Sequence, residues 1–502
     1  MDYFEDSLAK NYANETGRDS NRCTYIFGTV QYPAPTVDRS TVAQVTIDML
    51  PDLALLEIFD FYVKKCQWYT LVHVCRKWRS LVFGSPRRLN LQLVCKPGTP
   101  VREKLDIWPP LPIVVCSFDH KVHGVDNLAA ALERNDRIYD IILHDLSSSQ
   151  FERVFAAMQQ PFPALTNLIL GFRCGSAPVD LASFLGGTVP RLKSLSLIRN
   201  SSPGLLKPLL SATDLVSLQL LQTSHSGYIP PEALTTYLSV LIRLECLEIE
   251  ISFESSSTHP RHLPPPTHLH LPVLTMLKFI GVAEYLENLI ARIHAPLLDN
   301  LQITLLHQMI FHTPQLTQFV GRTPKFKTHD TAHLIFSNFD ASVKVFDERL
   351  RLNILCNQPD WWLPSLMQIC SAFFPRAVIA AVEHLFILEN PFVPPPPLSW
   401  QNDIESSQWL KLFHPFTAVK HLFISSELTP RIAPTLKDLV EERVAEVLPD
   451  LQNIFLEETH LSGPVQEAIG QFISARQLAG HPVAISLWER KRLDIWRSFT
   501  CP

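Results

Sequence analysis

Glycine is scarce, 16 of 502 residues, and no Gly-x-Gly-x-x-Gly, Gly-x-x-x-x-Gly-Lys-Ser/Thr or Gly-x-Ser-x-Gly occurs. The common phosphate cradles and the nucleophile elbow therefore have no basis in this chain. Its ten cysteines (Cys23, Cys66, Cys75, Cys95, Cys116, Cys174, Cys246, Cys356, Cys370 and Cys501) form no Cys-x-x-Cys pair. That spacing is what structural metal sites and thioredoxin-like motifs use, so these residues are expected to be reduced, mostly buried thiols. An excess of positive charge is also lacking: 44 Lys and Arg stand against 49 Asp and Glu, a net charge of -5. A phosphate-binding surface concentrates cations, so no nucleic-acid partner is expected. No apolar run reaches the ~18 residues a membrane span needs. The opening Met1-Asp-Tyr-Phe-Glu-Asp6 is acidic where a secretory signal would be basic. The expectation is an intracellular protein, in cytoplasm or nucleus, with no membrane partner.

What is present suffices for a large core: 46% of residues are hydrophobic and 19% charged, too apolar for a disordered chain. The length exceeds the ~100–200 residues of an ordinary domain, so several domains or a repeat array must be considered. Residues 1–44 are polar and aperiodic, and are expected to be a flexible leader.

At Leu50-Pro51 the pattern changes. Proline is suited to a helix start, and Leu55, Ile58, Phe59 and Tyr62 follow at i, i+3, i+4 and i+7, with Leu53 and Leu56 widening the apolar arc. Leu71, Val74, Cys75 and Trp78 repeat that spacing and predict a second helix continuing to Val82, on whose apolar face Cys75 would be a buried thiol. Gly84-Ser-Pro86 ends it. So small a helical unit, with so wide an apolar arc, must pack on a partner or on the rest of the chain.

Leu50-Pro-Asp-Leu-Ala-Leu-Leu-Glu-Ile-Phe59 followed by Leu71-Val-His-Val-Cys-Arg-Lys-Trp-Arg79 resembles the F-box motif, at Leu-Pro, Ile-Phe and Val-Cys-Arg-x-Trp in the family's order. The intervening Lys64–Thr70 stretch does not carry the likeness. The resemblance, to F-box proteins with degenerate leucine-rich repeats of the fungal type, covers residues 45–85. It implies a three-helix unit that docks on the Skp adaptor subunit of a cullin-RING ubiquitin ligase through Leu50, Pro51, Leu53, Leu56, Ile58, Phe59, Val74, Cys75 and Trp78.

Beyond it the frame apolar-x-x-apolar-x-apolar recurs, beginning at Ile138, Leu165, Leu192, Leu215, Leu244, Leu274 and Leu298. Intervals of about 23–30 residues match the ~20–29 of a leucine-rich repeat. Wider copies begin at Val382, Val419 and Leu451, among proline-rich connections such as Val393-Pro-Pro-Pro-Pro397. The further landmark of such repeats, an Asn or Cys three residues past the frame, is clear only at Asn200. The expected fold class is α/β: a small helical unit, then an irregular solenoid of short parallel strands alternating with helices over 86–460, and a cap over 461–502. In that cap Val465, Ala468, Ile469, Phe472 and Ile473 predict a helix stopped by Gly480, and Val483, Ile485 and Leu487 alternate as in a strand.

Frame residues should point inward and the intervening strand positions outward. The outward face then carries Asn167, Ser194, Ser196, Ser217, Gln219, Glu248, Lys278, Asn300 and Gln302 as candidate substrate-binding residues, joined by Ile169, Cys246, Met276, His421, Phe423, Asn453 and Phe455. No sign of charge and no single side chain dominates, which suits a protein partner and disfavours phosphate or metal recognition. His259, His262, His268 and His270 cluster near Pro264-Pro-Pro266 but lack cysteine or carboxylate partners at ligand spacing, so neither metal nor cofactor is expected.

The composite reading is a non-enzymatic substrate-recognition adaptor that docks on the Skp adaptor and cullin scaffold and holds an unidentified protein substrate. Two others stay open. One is a stand-alone leucine-rich-repeat scaffold whose helices merely cap the array. The other is a hydrolase or transferase on an unrecognised α/β fold, which would require a deep pocket with converging polar groups.

Overall fold

The computed structural model describes residues 49–488 apart from 64–68, 85–90, 99, 109, 118–123, 174–182, 200–202, 224–226, 252–268, 307–312, 327–329, 338–339, 346–348, 356–361, 375, 391–405, 440–445 and 458–462. Of 60–63, 69–70, 107, 362, 372–373, 376–377 and 406 it describes the backbone alone. The leader over 1–44, Asn200, His259, His262, His268 and the proline-rich connection over 393–397 thus lie outside the described residues. The chain divides into two units, Met1–Glu57 and Ile58–Pro502.

Three short helices come first: α1 (Asp52–Val63), α2 (Tyr69–Val72) and α3 (Arg76–Gly84). Pro51 precedes α1 and its carbonyl accepts the first helical hydrogen bond, from the Leu55 N–H at 3.1 Å; a proline there loses no helical donor. The single helix expected from Leu71 to Val82 is in fact two. Residues 73–75 turn between α2 and α3, with Val74 N–H donating to Leu71 O at 3.3 Å. Cys75 therefore stands ahead of α3, where its Sγ accepts the Trp78 N–H at 3.5 Å, and is half-buried. The thiol takes the place of the usual N-cap hydroxyl. Arg79 Nε spans the turn to Val72 O at 2.9 Å and ties α2 to α3.

The second unit is built on one sheet of sixteen strands. Its strands in chain order are β1 (Leu91–Val94), β2 (Ile113–Ser117), β3 (Ile138–Leu146), β4 (Asn167–Phe172), β5 (Ser194–Ile198), β6 (Ser217–Thr223) and β7 (Cys246–Ile251). They continue with β9 (Met276–Gly281), β11 (Asn300–Leu306), β12 (Thr331–Phe336), β13 (Asp340–Val345), β14 (Leu350–Leu355), β15 (His384–Glu389), β16 (His421–Ile424), β17 (Asn453–Glu457) and β18 (Ala484–Trp488). The short β8 (Leu269–His270) and β10 (Ile293–His294) pair separately. Helices and turns connect successive parallel strands, which makes the unit an α/β solenoid.

All thirty frame residues of the ten predicted copies are at most 3% exposed. Parallel pairing aligns Leu168 with Leu195, then Leu218, Leu247, Leu277 and Leu301, one inward row across six strands. Each such leucine contributes about 1.5–3 kcal/mol of burial, and a one-residue slip would turn the whole row outward.

The frame also extends one position further than expected. The N–H of its first residue donates at 3.1–3.4 Å to the carbonyl three residues earlier, at Phe162, Val189, Ala212, Leu241, Leu271, Ala295, Ile379 and Leu448. All eight of these are buried. A tight turn that drops a second apolar side chain inward thus precedes these strands.

Alternation of parallel strand and helix fails at one place. The sheet runs β11-β14-β13-β12-β15, and β13 is antiparallel to both neighbours. Only residues 337–339 and 346–349 separate these strands; a parallel crossover takes a dozen or more residues, so the chain must reverse. Past the helix Gly463–Leu478, Gly480 adopts φ +81°, the left-handed conformation that ends a helix, and His481 N–H closes onto Arg476 O at 2.9 Å. β18 then extends the sheet beyond β17.

Candidate interaction surfaces

In the first unit Leu55 is buried whereas Leu53 is 66% exposed, Pro51 is exposed and Leu50 and Leu56 are half-buried. In the second, Ile58 is 45% and Val74 58% exposed. Phe59 is buried and its ring lies 4.7 Å from that of the half-buried Trp78. Within the second unit Phe59 and Trp78 therefore pack together, while Ile58 and Val74 stay open to solvent. Of eleven large hydrophobic residues exposed among the described residues, five (Met49, Leu53, Ile58, Val74 and Phe83) fall within this short stretch.

On the strand face opposite the leucines, register forms two cross-strand rows. Asn167, Ser194, Ser217, Cys246, Met276 and Asn300 make one, and Ile169, Ser196, Gln219, Glu248, Lys278 and Gln302 the other. The nine candidate residues are thereby brought onto one surface. Two of them, Ser196 and Glu248, are buried rather than open to solvent. Glu248 is covered because it forms an ion pair with Lys278 and accepts from Gln219 Nε2 at 3.3 Å. Asn167 Nδ2 donates to Asp140 Oδ1 at 2.7 Å. Glu250, next outward on β7, has its carboxyl pushed up chiefly by burial; Lys278 and Arg199 pull it down and Glu248 pushes it up. This half of the face is small, polar and internally paired.

The other half is aromatic. His333, Phe386, Phe423 and Phe455 occupy one register row on β12, β15, β16 and β17. Their rings stack at 4.6, 4.1 and 4.4 Å with planes within 9° of parallel. Trp488 turns back from β18 and meets Phe423 and Phe386 edge-on at 5.5 and 6.1 Å. Beside the row His384 and His421 lie 4.8 Å apart, and the Asn453 amide stands 3.1 Å from His421 Nδ1. Partial burial, then His384, lowers the His421 pKa.

Phe423, Phe455, His421 and Asn453 were expected on this face. His333, Phe386, His384 and Trp488 were not, although an aromatic at the same offset in consecutive frames (386, 423, 455) was a readable signal. Cross-strand aromatic stacks of this kind contribute about 0.5–1.5 kcal/mol each beyond area burial.

Cys95, Cys116 and Cys370 are buried thiols. Burial pushes Cys95 up to about 12, Cys116 to about 11 and Cys370 to about 12, which keeps them protonated at neutral pH. His270 stacks on His294 at 5.2 Å. Among the described residues no group of three or more His, Cys, Asp or Glu is arranged to hold a metal, and no helix is long and apolar enough to cross a membrane.

No protein-family model matches the sequence, and no curated protein does. Solved structures with a similar course include the leucine-rich repeat-containing protein LegL7 from Legionella pneumophila, 13% identical over 80% of this chain and 91% of that one, with a TM-score of 0.27. Another is TLR13 in its complex with ssRNA13, 11% identical over 78% of this chain and 48% of that one, with a TM-score of 0.28.

Proposed function

We propose that this chain is a substrate-recruiting interaction protein whose residues 45–85 dock on a Skp-type adaptor of a cullin-RING ubiquitin ligase, while the solenoid's open strand face holds a protein substrate. The observation that carries the reading is the exposure of Leu53, Ile58 and Val74 at positions where the sequence resembles an F-box. Such side chains cost solubility unless a partner covers them. The leucine-rich-repeat character of the second unit supports a binding role for the face opposite the leucines, and its mixed polar and aromatic make-up suits a protein ligand. The chain would then contribute no reacting side chain; tethering raises the substrate's effective concentration near the transferring subunits.

The test is co-purification of the full chain with a Skp adaptor, wild type against the double variant Leu53→Asp with Ile58→Asp. Both side chains are exposed, so the variant is expected to keep the wild-type melting temperature and to lose the adaptor. A folded wild type that does not retain the adaptor, or a folded variant that still does, refutes the reading and leaves a stand-alone scaffold.

A further inference from the structure

Among the described residues β18 is the last strand of the sheet and pairs with β17 alone. The Ala484 N–H donates to Gln452 O at 2.8 Å. In a parallel ladder, alternate residues turn both N–H and C=O to the same side, so residues 484, 486 and 488 face β17. Ile485 and Leu487 therefore turn their N–H and C=O to the open edge. The same two residues carry uncovered apolar side chains, 41% and 67% exposed, although their register partners Ile454 and Leu456 are buried. Leu478, last in the preceding helix, is 90% exposed. At the opposite end of the sheet the inward residues of β1, Leu91 and Leu93, are buried, so the open layer is confined to β18.

We propose that this edge is a docking site for an extended peptide segment of a partner protein, which adds to β18 as a further strand and lays alternate apolar side chains over Ile485 and Leu487. The inference does not rest on the adaptor reading. Unmet donors and acceptors at strand spacing are satisfied best by another strand, and the uncovered layer requires apolar residues at every second position. On the other face the β18 register partner of Phe455 is the small Ser486, while Trp488 leans back toward Phe423 and Phe386, which favours a bulky side chain of the incoming strand beside Ser486. A second copy of this chain fits less well: a five-residue edge buries far less than the ~1,200 Å² a stable dimer needs.

The probe is a fluorescein-labelled synthetic peptide of alternating valine and threonine, titrated into the full chain and followed by anisotropy. Its twin, N-methylated at alternate residues, is the control. Saturable binding of the first peptide is expected, weakened at least about tenfold by N-methylation and by Leu487→Pro, with slowed amide deuterium exchange at Ile485 and Leu487. Should Leu487→Pro melt below wild type, the N-methylated peptide carries the test on the unaltered chain. Absence of saturable binding, or binding indifferent to N-methylation, overturns the proposal. So does a wild-type dimer that Leu487→Pro converts to monomer, which assigns the edge to a second copy. Binding that appears only after removal of residues 489–502 overturns it too, in favour of the chain's own terminus.

Discussion

Arg476 has no solvent exposure, and its Nη2 donates to the carbonyls of Leu448, Pro449 and Leu451 at 3.1, 3.3 and 3.2 Å. Those carbonyls belong to the turn that launches β17, where Leu448 is held at φ 50°, a conformation unfavourable for leucine. One guanidinium thus clamps the last repeat to the turn before it, and the Phe472 ring lies 5.9 Å from its central carbon. Arg476→Met keeps most of the apolar stem and removes every donor. Two N–H groups shared among three carbonyls amount to two charge-assisted bonds of about 1.5–3 kcal/mol each, and part of that is offset because the desolvation cost of the cation is returned when it is removed. A net loss of about 3 kcal/mol follows, on the order of a hundredfold in the opening equilibrium.

Because repeat arrays couple mainly through nearest neighbours, this loss should be local. Hydrogen exchange should accelerate by about that factor over Asn453–Glu457 and Ala484–Trp488 and remain unchanged over Ser194–Ile198. Arg476→Lys keeps a cation but sets it on a more strongly hydrated ammonium that loses the planar guanidinium's packing beside Phe472, so it should fall between the two. A change below about 1 kcal/mol, or equal acceleration at both ends of the sheet, would refute the clamp.

The Glu250 carboxyl, raised mainly by burial, predicts a pH-dependent gain. Its folded pKa lies above the unfolded value of 4.5, so its ionisation costs stability as pH rises through that window; Glu250→Gln should melt higher than wild type at pH 7, with the difference vanishing below pH 4.5. Phe423→Ala removes two stacked partners and the edge contact of Trp488. It should cost about 2–4 kcal/mol in urea denaturation and red-shift the tryptophan emission, and an unshifted spectrum would count against the stack. Cys75→Ser replaces a weak sulfur cap on α3 by the preferred hydroxyl and should raise the stability of the helical segment by a few tenths of a kcal/mol, whereas Cys75→Val should lower it.

The inward rows of the solenoid were legible in the chain because a strand and the turn before it repeat a short local pattern. Leu-x-x-Leu-x-Leu declares its buried side wherever it occurs, and the apolar residue three positions earlier could have been read by the same rule. The antiparallel excursion at β12–β14 was written just as locally, in three alternating runs joined by connections too short for a crossover. Other features were decided only by tertiary structure. Alternation states that Glu248 faces away from the leucines but not that Lys278, a repeat later in the chain, covers it. Likewise the π-stack of His333, Phe386, Phe423 and Phe455 exists because register aligns residues separated by tens of positions. Burial of a cation at Arg476 and the bareness of Ile485 and Leu487 depend on what lies beside them in space. Sequence periodicity determines which way a side chain points along its own strand; neighbouring strands and helices decide whether anything meets it there.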